Sequence, residues 1–118
     1  MRVPWYLNQF APGMSVRLNL AADDANVPVY NGDGPVTFSV IIPERVVKNG
    51  TRGALMSYGH GLFGSQSEIQ TQYLCDEANE YGYVIVATNW LGMCYEDELV
   101  AASIVAEDLT DFPAIPDR

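Results

Sequence analysis

The sequence offers little for metal or thiol chemistry: in 118 residues there is one histidine, His60, and two cysteines, Cys75 and Cys94. The cysteines lack CxxC spacing and clustered histidines, which excludes an ordinary zinc site, and two thiols make no disulfide framework. Both are expected to be free and buried. Long apolar runs are also missing. The longest, residues 83–87 and 99–106, fall far short of the roughly 20 residues that cross a bilayer, so no membrane span is expected. Residues 1–10 carry no apolar export run, and as written the chain is expected to be soluble and cytoplasmic. Basic charge is scarce, with 6 Lys and Arg against 15 Asp and Glu, a net charge of −9. From His60 onward Arg118 is the only base, so this half would repel a phosphate backbone and nucleic acid is excluded as a partner. What is present is ordinary for a globular protein. Apolar residues make up 48% and charged residues 18%, which suits a single domain over residues 1–118.

Residues 1–53 read as a β-rich lead-in. Residues 15–20 and 27–30 alternate polar and apolar around the turn residues 22–26, and residues 31–35 supply a second turn. Residues 36–42 form a β-branched strand that stops at Pro43, and residues 48–53 read as a polar loop. Residues 1–13 show no clear period and are expected to be irregular. Residues 54–118 differ. The run 54–58 predicts a buried strand, and Ser65 with Glu68 fits a capping box that opens a helix of about four turns. Ile69, Tyr73, Leu74, Ala78 and Tyr81 recur at helical spacing, and Gly82 stands where a left-handed cap belongs. Residues 83–88 are apolar on both faces, as in the interior of a parallel sheet. The pattern is a βαβ unit. Residues 99–106 predict a further helix behind Glu96, Asp97 and Glu98, and Glu107, Asp108 and Asp111 lead into an acidic tail through residues 112–118. The fold class is therefore α/β, with antiparallel N-terminal strands leading into a parallel βαβ unit.

The most informative stretch is Gly59-His60-Gly61-Leu62-Phe63-Gly64-Ser65, between the buried strand and the capped helix. Glycines there let the chain turn sharply and leave amide hydrogens exposed to a ligand oxygen. Strand, His-Gly and helix in this order resemble the oxyanion-hole loop of the α/β-hydrolase superfamily, in its esterase and lipase branch. The resemblance implies that the Leu62 amide, with that of Phe63 beside it, stabilises a tetrahedral intermediate. His60 and Gly61 would shape the loop without proton transfer. It implies too an incomplete three-layer hydrolase sheet, the N-terminal portion of such a domain. The superfamily's Gly-x-Ser-x-Gly elbow does not occur in these 118 residues, nor does a second histidine to act as base. The expected function is thus a contribution to a serine carboxylic-ester hydrolase, inactive alone, with a small ester bound only when a complementary hydrolase fragment completes the site.

Other readings compete. His60 could simply hydrogen-bond inside a turn, and Ser65 and Ser67 are better explained as helix caps than as nucleophiles. Asp23, Asp24, Asn26, Asn31 and Asp33 are turn residues before they are calcium ligands, and Glu96, Asp97, Glu98, Glu107, Asp108 and Asp111 suit a solvated helix face better than paired carboxylates for acid and base work; no metal or cofactor is expected. An open α/β domain holding phosphate on this loop ranks last, for want of a glycine-rich fingerprint. A non-catalytic, hydrolase-derived module is the main alternative. Uncovered sheet surface would drive it to associate, most simply as a homodimer.

Overall fold

The computed structural model describes residues 1–10, 16–107 and 110, so Ser15, Asp108, Asp111 and residues 112–118 lie outside the described residues. Its centre is a three-stranded mixed sheet. The strands are β3 (Phe38–Ile41), β4 (Ala54–Tyr58) and β5 (Tyr83–Thr88), in the order β3-β5-β4. β4 runs parallel to β5, with Met56 opposite Ile85, while β3 runs antiparallel on the other side, with Val40 opposite Val86. The α/β class, an antiparallel approach joined to a parallel pair, is thus present.

Between β4 and β5 the chain makes a 3-10 helix, Gln66–Gln70, and then α2 (Gln72–Tyr81). The expected four-turn helix is broken at Thr71, whose backbone is extended (φ −66°, ψ 143°) and whose Oγ1 donates to the Glu68 carbonyl. Ile69, Leu74, Ala78, Ile85 and Ala87 pack into one buried cluster, flanked by Ile41, Met56, Tyr58 and Tyr83. α2 ends on Gly82 at φ 76°, whose N–H returns to the Ala78 carbonyl.

The pairings assign Ile41, Met56, Tyr58, Ile85 and Ala87 to one face of the sheet, the face that α2 covers. The other face carries Val40, Leu55, Val84 and Val86, and Leu55 there is 76% exposed. The second side of β5 is less covered than the first, with Val84 and Val86 half-buried while Leu55 and Val40 on the flanking strands are exposed.

Three further elements differ from the sequence expectation. Residues 1–13 are not wholly irregular, because β1 (Arg2–Pro4) pairs antiparallel with β2 (Asp33–Pro35), drawn from residues expected only to turn. Trp5 explains the pairing: its ring is buried against Gly34, where any Cβ would collide with it, and its backbone exchanges hydrogen bonds with Gly32 and Asn31. Around it, the strands expected at 15–20 and 27–30 reduce to the bridges Leu7 to Leu18 and Leu20 to Pro28. The third is α1 (Glu44–Asn49), which replaces the start of the expected loop; it begins after Pro43, carries a Glu44 to Lys48 ion pair one turn apart, and ends on Gly50 at φ 58°. α3 (Glu98–Glu107) stands as expected, with only Ala101 fully buried. Among the described residues no helix is long and apolar enough to cross a membrane.

The molecule is drawn out. Its radius of gyration is 17.8 Å and its extents 54 × 32 × 19 Å, where a compact domain of this length measures about 13–14 Å in radius. The stability of the central sheet should rest chiefly on the covered face. Ile85→Ala, at a fully buried position on the central strand, should cost about 2–5 kcal/mol in chemical denaturation. Leu55→Ser on the open face of a monomer should change it by less than about 0.5 kcal/mol.

Candidate functional site: the Gly59–Ser65 loop

The loop that follows β4 is tied to the loop that follows β5 by hydrogen bonds at successive positions. His60 is the first tie and is buried, 5% exposed. Its Nε2 accepts from the Trp90 N–H at 2.9 Å, so Nδ1 carries the proton and donates to the Gly61 carbonyl at 2.7 Å. Both ring nitrogens are engaged, which leaves neither for a substrate proton. Above it the Trp90 ring lies over Gly59, where a Cβ would come within 2.6 Å of the ring. The next ties are Phe63 N–H to the Met93 carbonyl at 2.7 Å and Tyr95 N–H to the Gly64 carbonyl at 2.9 Å. Gln66 N–H then donates to Asn89 Oδ1 at 2.8 Å, beside the start of the 3-10 helix.

These ties decide which amides remain. Phe63 sits in the left-handed region at φ 55°, a conformation that costs a branched or bulky residue about 1–2 kcal/mol, and its amide is engaged with Met93. The Gly64 amide donates to the Gly61 carbonyl, and the Gly61 amide to Glu68 Oε2 at 3.3 Å. Among the described residues no acceptor meets the Leu62 amide, and the Leu62 side chain is 67% exposed. Of the two amides expected to serve an oxyanion, then, Leu62 is free and Phe63 is occupied.

Glu68 plays a different part from the one its spacing predicts. Instead of reaching back to the cap amide, its carboxylate accepts from Gly61 N–H and from the Tyr58 hydroxyl at 3.1 Å. A contact from Tyr73, then burial and then this Glu68 contact push the Tyr58 phenol up to about 12. Ser65 does cap, but at one residue closer, accepting from Ser67 N–H at 3.2 Å, and the two hydroxyls lie 2.5 Å apart. Among the described residues neither serine hydroxyl is hydrogen-bonded to an imidazole or a carboxylate.

Asp97 is the residue that the sequence undersells. Expected on a solvated face, it is 2% exposed and accepts from Gly92 N–H at 2.7 Å, Cys94 N–H at 3.3 Å and the Cys94 thiol at 3.0 Å. The signal for it is Gly92 at φ 86°, a turn whose amides need an internal acceptor. Burial, and then the Asp97 carboxylate, push the Cys94 thiol up to about 11, so it stays protonated and is no nucleophile near neutral pH. Cys75 is half-buried rather than buried, and both thiols are free.

Beside these loops runs an open groove of about 920 Å³, between the N-terminal ribbon and the C-terminal end of β5. Ser65, Gln66, Ser67 and Asp97 line it, whereas His60, Gly61, Leu62 and Phe63 do not. Among the described residues no group of three or more His, Cys, Asp or Glu is placed to hold a metal ion. Comparisons with protein-family models, with curated proteins and with solved structures returned no match for this chain.

The His60 ties carry a direct test. His60→Ala strands the Trp90 N–H, a loss of about 1–3 kcal/mol, and hydrogen exchange at Trp90 and Phe63 should speed up together by at least about tenfold. Faster exchange at Trp90 with Phe63 unchanged would show that the Met93 contact holds the loops without the histidine.

Proposed function

We propose that this chain supplies the oxyanion-loop half of a serine carboxylic-ester hydrolase of the α/β-hydrolase kind, and that the nucleophile, acid and base come from other polypeptide. The observation that carries the reading is the unengaged Leu62 N–H in a glycine-rich loop at the end of a parallel strand. Backbone donors held rigidly at such a place stabilise charge developing on a carbonyl oxygen. His60 and Gly61 act by holding the loop's shape, and Phe63 acts by its anchor to Met93. With one free amide and no paired serine and histidine, the chain alone is catalytically silent towards esters.

A second reading, a hydrolase-derived module whose role is association, is supported by the open sheet face around Leu55 and Val40, which are 76% and 43% exposed. A homodimer is its simplest form. Light scattering over a hundredfold concentration range separates the two, since a monomer throughout removes the second reading and leaves the first intact.

The first reading is tested on the Leu62 amide itself. Titrating dimethyl methylphosphonate, an uncharged tetrahedral mimic whose phosphoryl oxygen accepts a hydrogen bond, should move the Leu62 N–H resonance downfield and saturably while Phe63 stays in place. No labelling by a fluorophosphonate serine probe should occur. A static Leu62 resonance, or covalent labelling of Ser65 or Ser67, would overturn the proposal.

A further inference from the structure

The chain holds two Asn-Gly steps, Asn31-Gly32 and Asn49-Gly50, and the fold treats them differently. Such a step is chemically reactive. Glycine has no side chain to shield its backbone nitrogen, so that nitrogen can reach the side-chain carbonyl carbon of the preceding asparagine and close a cyclic imide. Closure requires the asparagine backbone to rotate and the glycine N–H to leave its hydrogen bond. The fraction of time that both conditions hold is set by local opening of the fold.

Asn31 is tied into the ribbon. It is half-buried, its N–H donates to the Trp5 carbonyl at 2.7 Å, and its Nδ2 donates to the Leu7 carbonyl at 2.9 Å. The Gly32 carbonyl accepts from Trp5 N–H at 2.9 Å, so reaching the imide there means opening the ribbon around the buried Trp5 ring. Asn49 is held by much less. It is exposed and ends α1, a helix of 6 residues with none buried, and among the described residues no hydrogen bond or ion pair meets its side chain. The Gly50 and Thr51 amides cap the helix on the Val47 and Val46 carbonyls, both at 3.3 Å, longer than a usual N–H to carbonyl bond. A helix this short gains little from its own turns. What fixes α1 is its first turn, where Arg45 N–H donates to Asn79 Oδ1 at 3.0 Å and the Arg45 guanidinium to the Glu80 carbonyl. The last turn is therefore free to fray while the first stays docked.

We propose that Asn49 is a site of spontaneous modification, converted by attack of the Gly50 backbone nitrogen to a cyclic imide and then by water to aspartate and isoaspartate. In the first step a bond forms between Gly50 N and Asn49 Cγ, the Cγ–Nδ2 bond breaks, and ammonia leaves with the proton of the Gly50 amide. Water then opens the imide on either side. Cleavage at Cγ restores the ordinary backbone with an aspartate side chain, and cleavage at the Asn49 carbonyl carbon routes the chain through the side chain as isoaspartate. Nothing is oxidised or reduced. Either product places a new negative charge at the C-terminal end of α1, where the helix dipole disfavours it, and isoaspartate also lengthens the backbone within the Gly50 cap. The site precedes β4, at the opposite end of that strand from the Gly59–Ser65 loop, so it is independent of ester hydrolysis.

The test incubates the full chain, folded and in concentrated guanidinium chloride, in warm, mildly alkaline buffer. Peptide mapping by mass spectrometry locates each amide that becomes an acid, and an isoaspartyl methyltransferase assay counts isoaspartate. The ratio of unfolded to folded rate gives the protection of each site. Protection at Asn49 should be less than about tenfold, and at Asn31 at least about tenfold greater. Gly50→Ala should slow conversion at Asn49 by at least about threefold although it loosens the left-handed cap, because the added methyl group shields the nitrogen. A rate governed by loosening alone would rise in that variant. Protection beyond about tenfold at Asn49, less than a tenfold gap between the two sites, or an undiminished rate in Gly50→Ala would each overturn the proposal.

Discussion

Everything near the candidate site depends on one buried imidazole. A parallel βαβ unit leaves two loops at the same end of the sheet, and nothing in the strand pairing alone fixes their distance. His60 does so by accepting from Trp90 N–H while donating to the Gly61 carbonyl, one ring bridging the end of β4 to the end of β5. The tie is side chain to backbone, and it is shielded by the Trp90 indole, whose ring centroid lies 6.0 Å from that of His60. With this distance set, the Phe63 and Tyr95 amides reach their carbonyls and the loops pair like a short continuation of the sheet. The left-handed turn at Phe63 is the conformational cost of that pairing.

The same constraint explains which parts of the site were legible in the sequence. β4, β5 and the Gly82 cap are local: apolar runs and a glycine in a left-handed position announce themselves without reference to anything distant. The importance of residues 59–65 was legible because glycine density between a strand and a helix has few other causes. What each residue does there was not, because it depends on partners about 30 positions away, as with His60 and Trp90. Glu68 shows the failure sharply. Its spacing from Ser65 satisfies a local rule, yet the carboxylate finds better donors in Gly61 and Tyr58 across the turn. α1 was missed for the opposite reason, since Pro43, the Glu44 and Lys48 pair and Gly50 are all local signals, masked by the polar run that follows.

A similar distance effect governs the N-terminal ribbon. Residues 31–35 have the composition of a turn, yet Asp33–Pro35 pair as a strand with Arg2–Pro4, and Gly34 leaves the room that the Trp5 ring fills. The ribbon closes around that ring and not around the central sheet, which is why the molecule is elongated and why a groove remains between the two parts. The apolar face of the central sheet stays open for the same reason: α1 and α2 pack together, α2 covers the other side, and α3 packs on the turn before it.

The electrostatics of the loop set a condition on any chemistry it performs. A helix start and a free amide favour an anion, but the Glu68 carboxylate already sits on the Gly61 amide and the residues from His60 onward are strongly acidic. A fixed, fully charged substrate would therefore be repelled before it reached Leu62. A neutral ester would not, because its oxygen carries charge only while the carbonyl is under attack, when the Leu62 N–H is already in place and needs no reorganisation. One amide against one neighbouring carboxylate is a weak oxyanion site, so efficient turnover requires a second donor. Within the loop that donor cannot be Phe63 without breaking the Met93 contact that holds the turn. On the ester-hydrolase reading that we propose, this second donor comes with the polypeptide that brings the nucleophile.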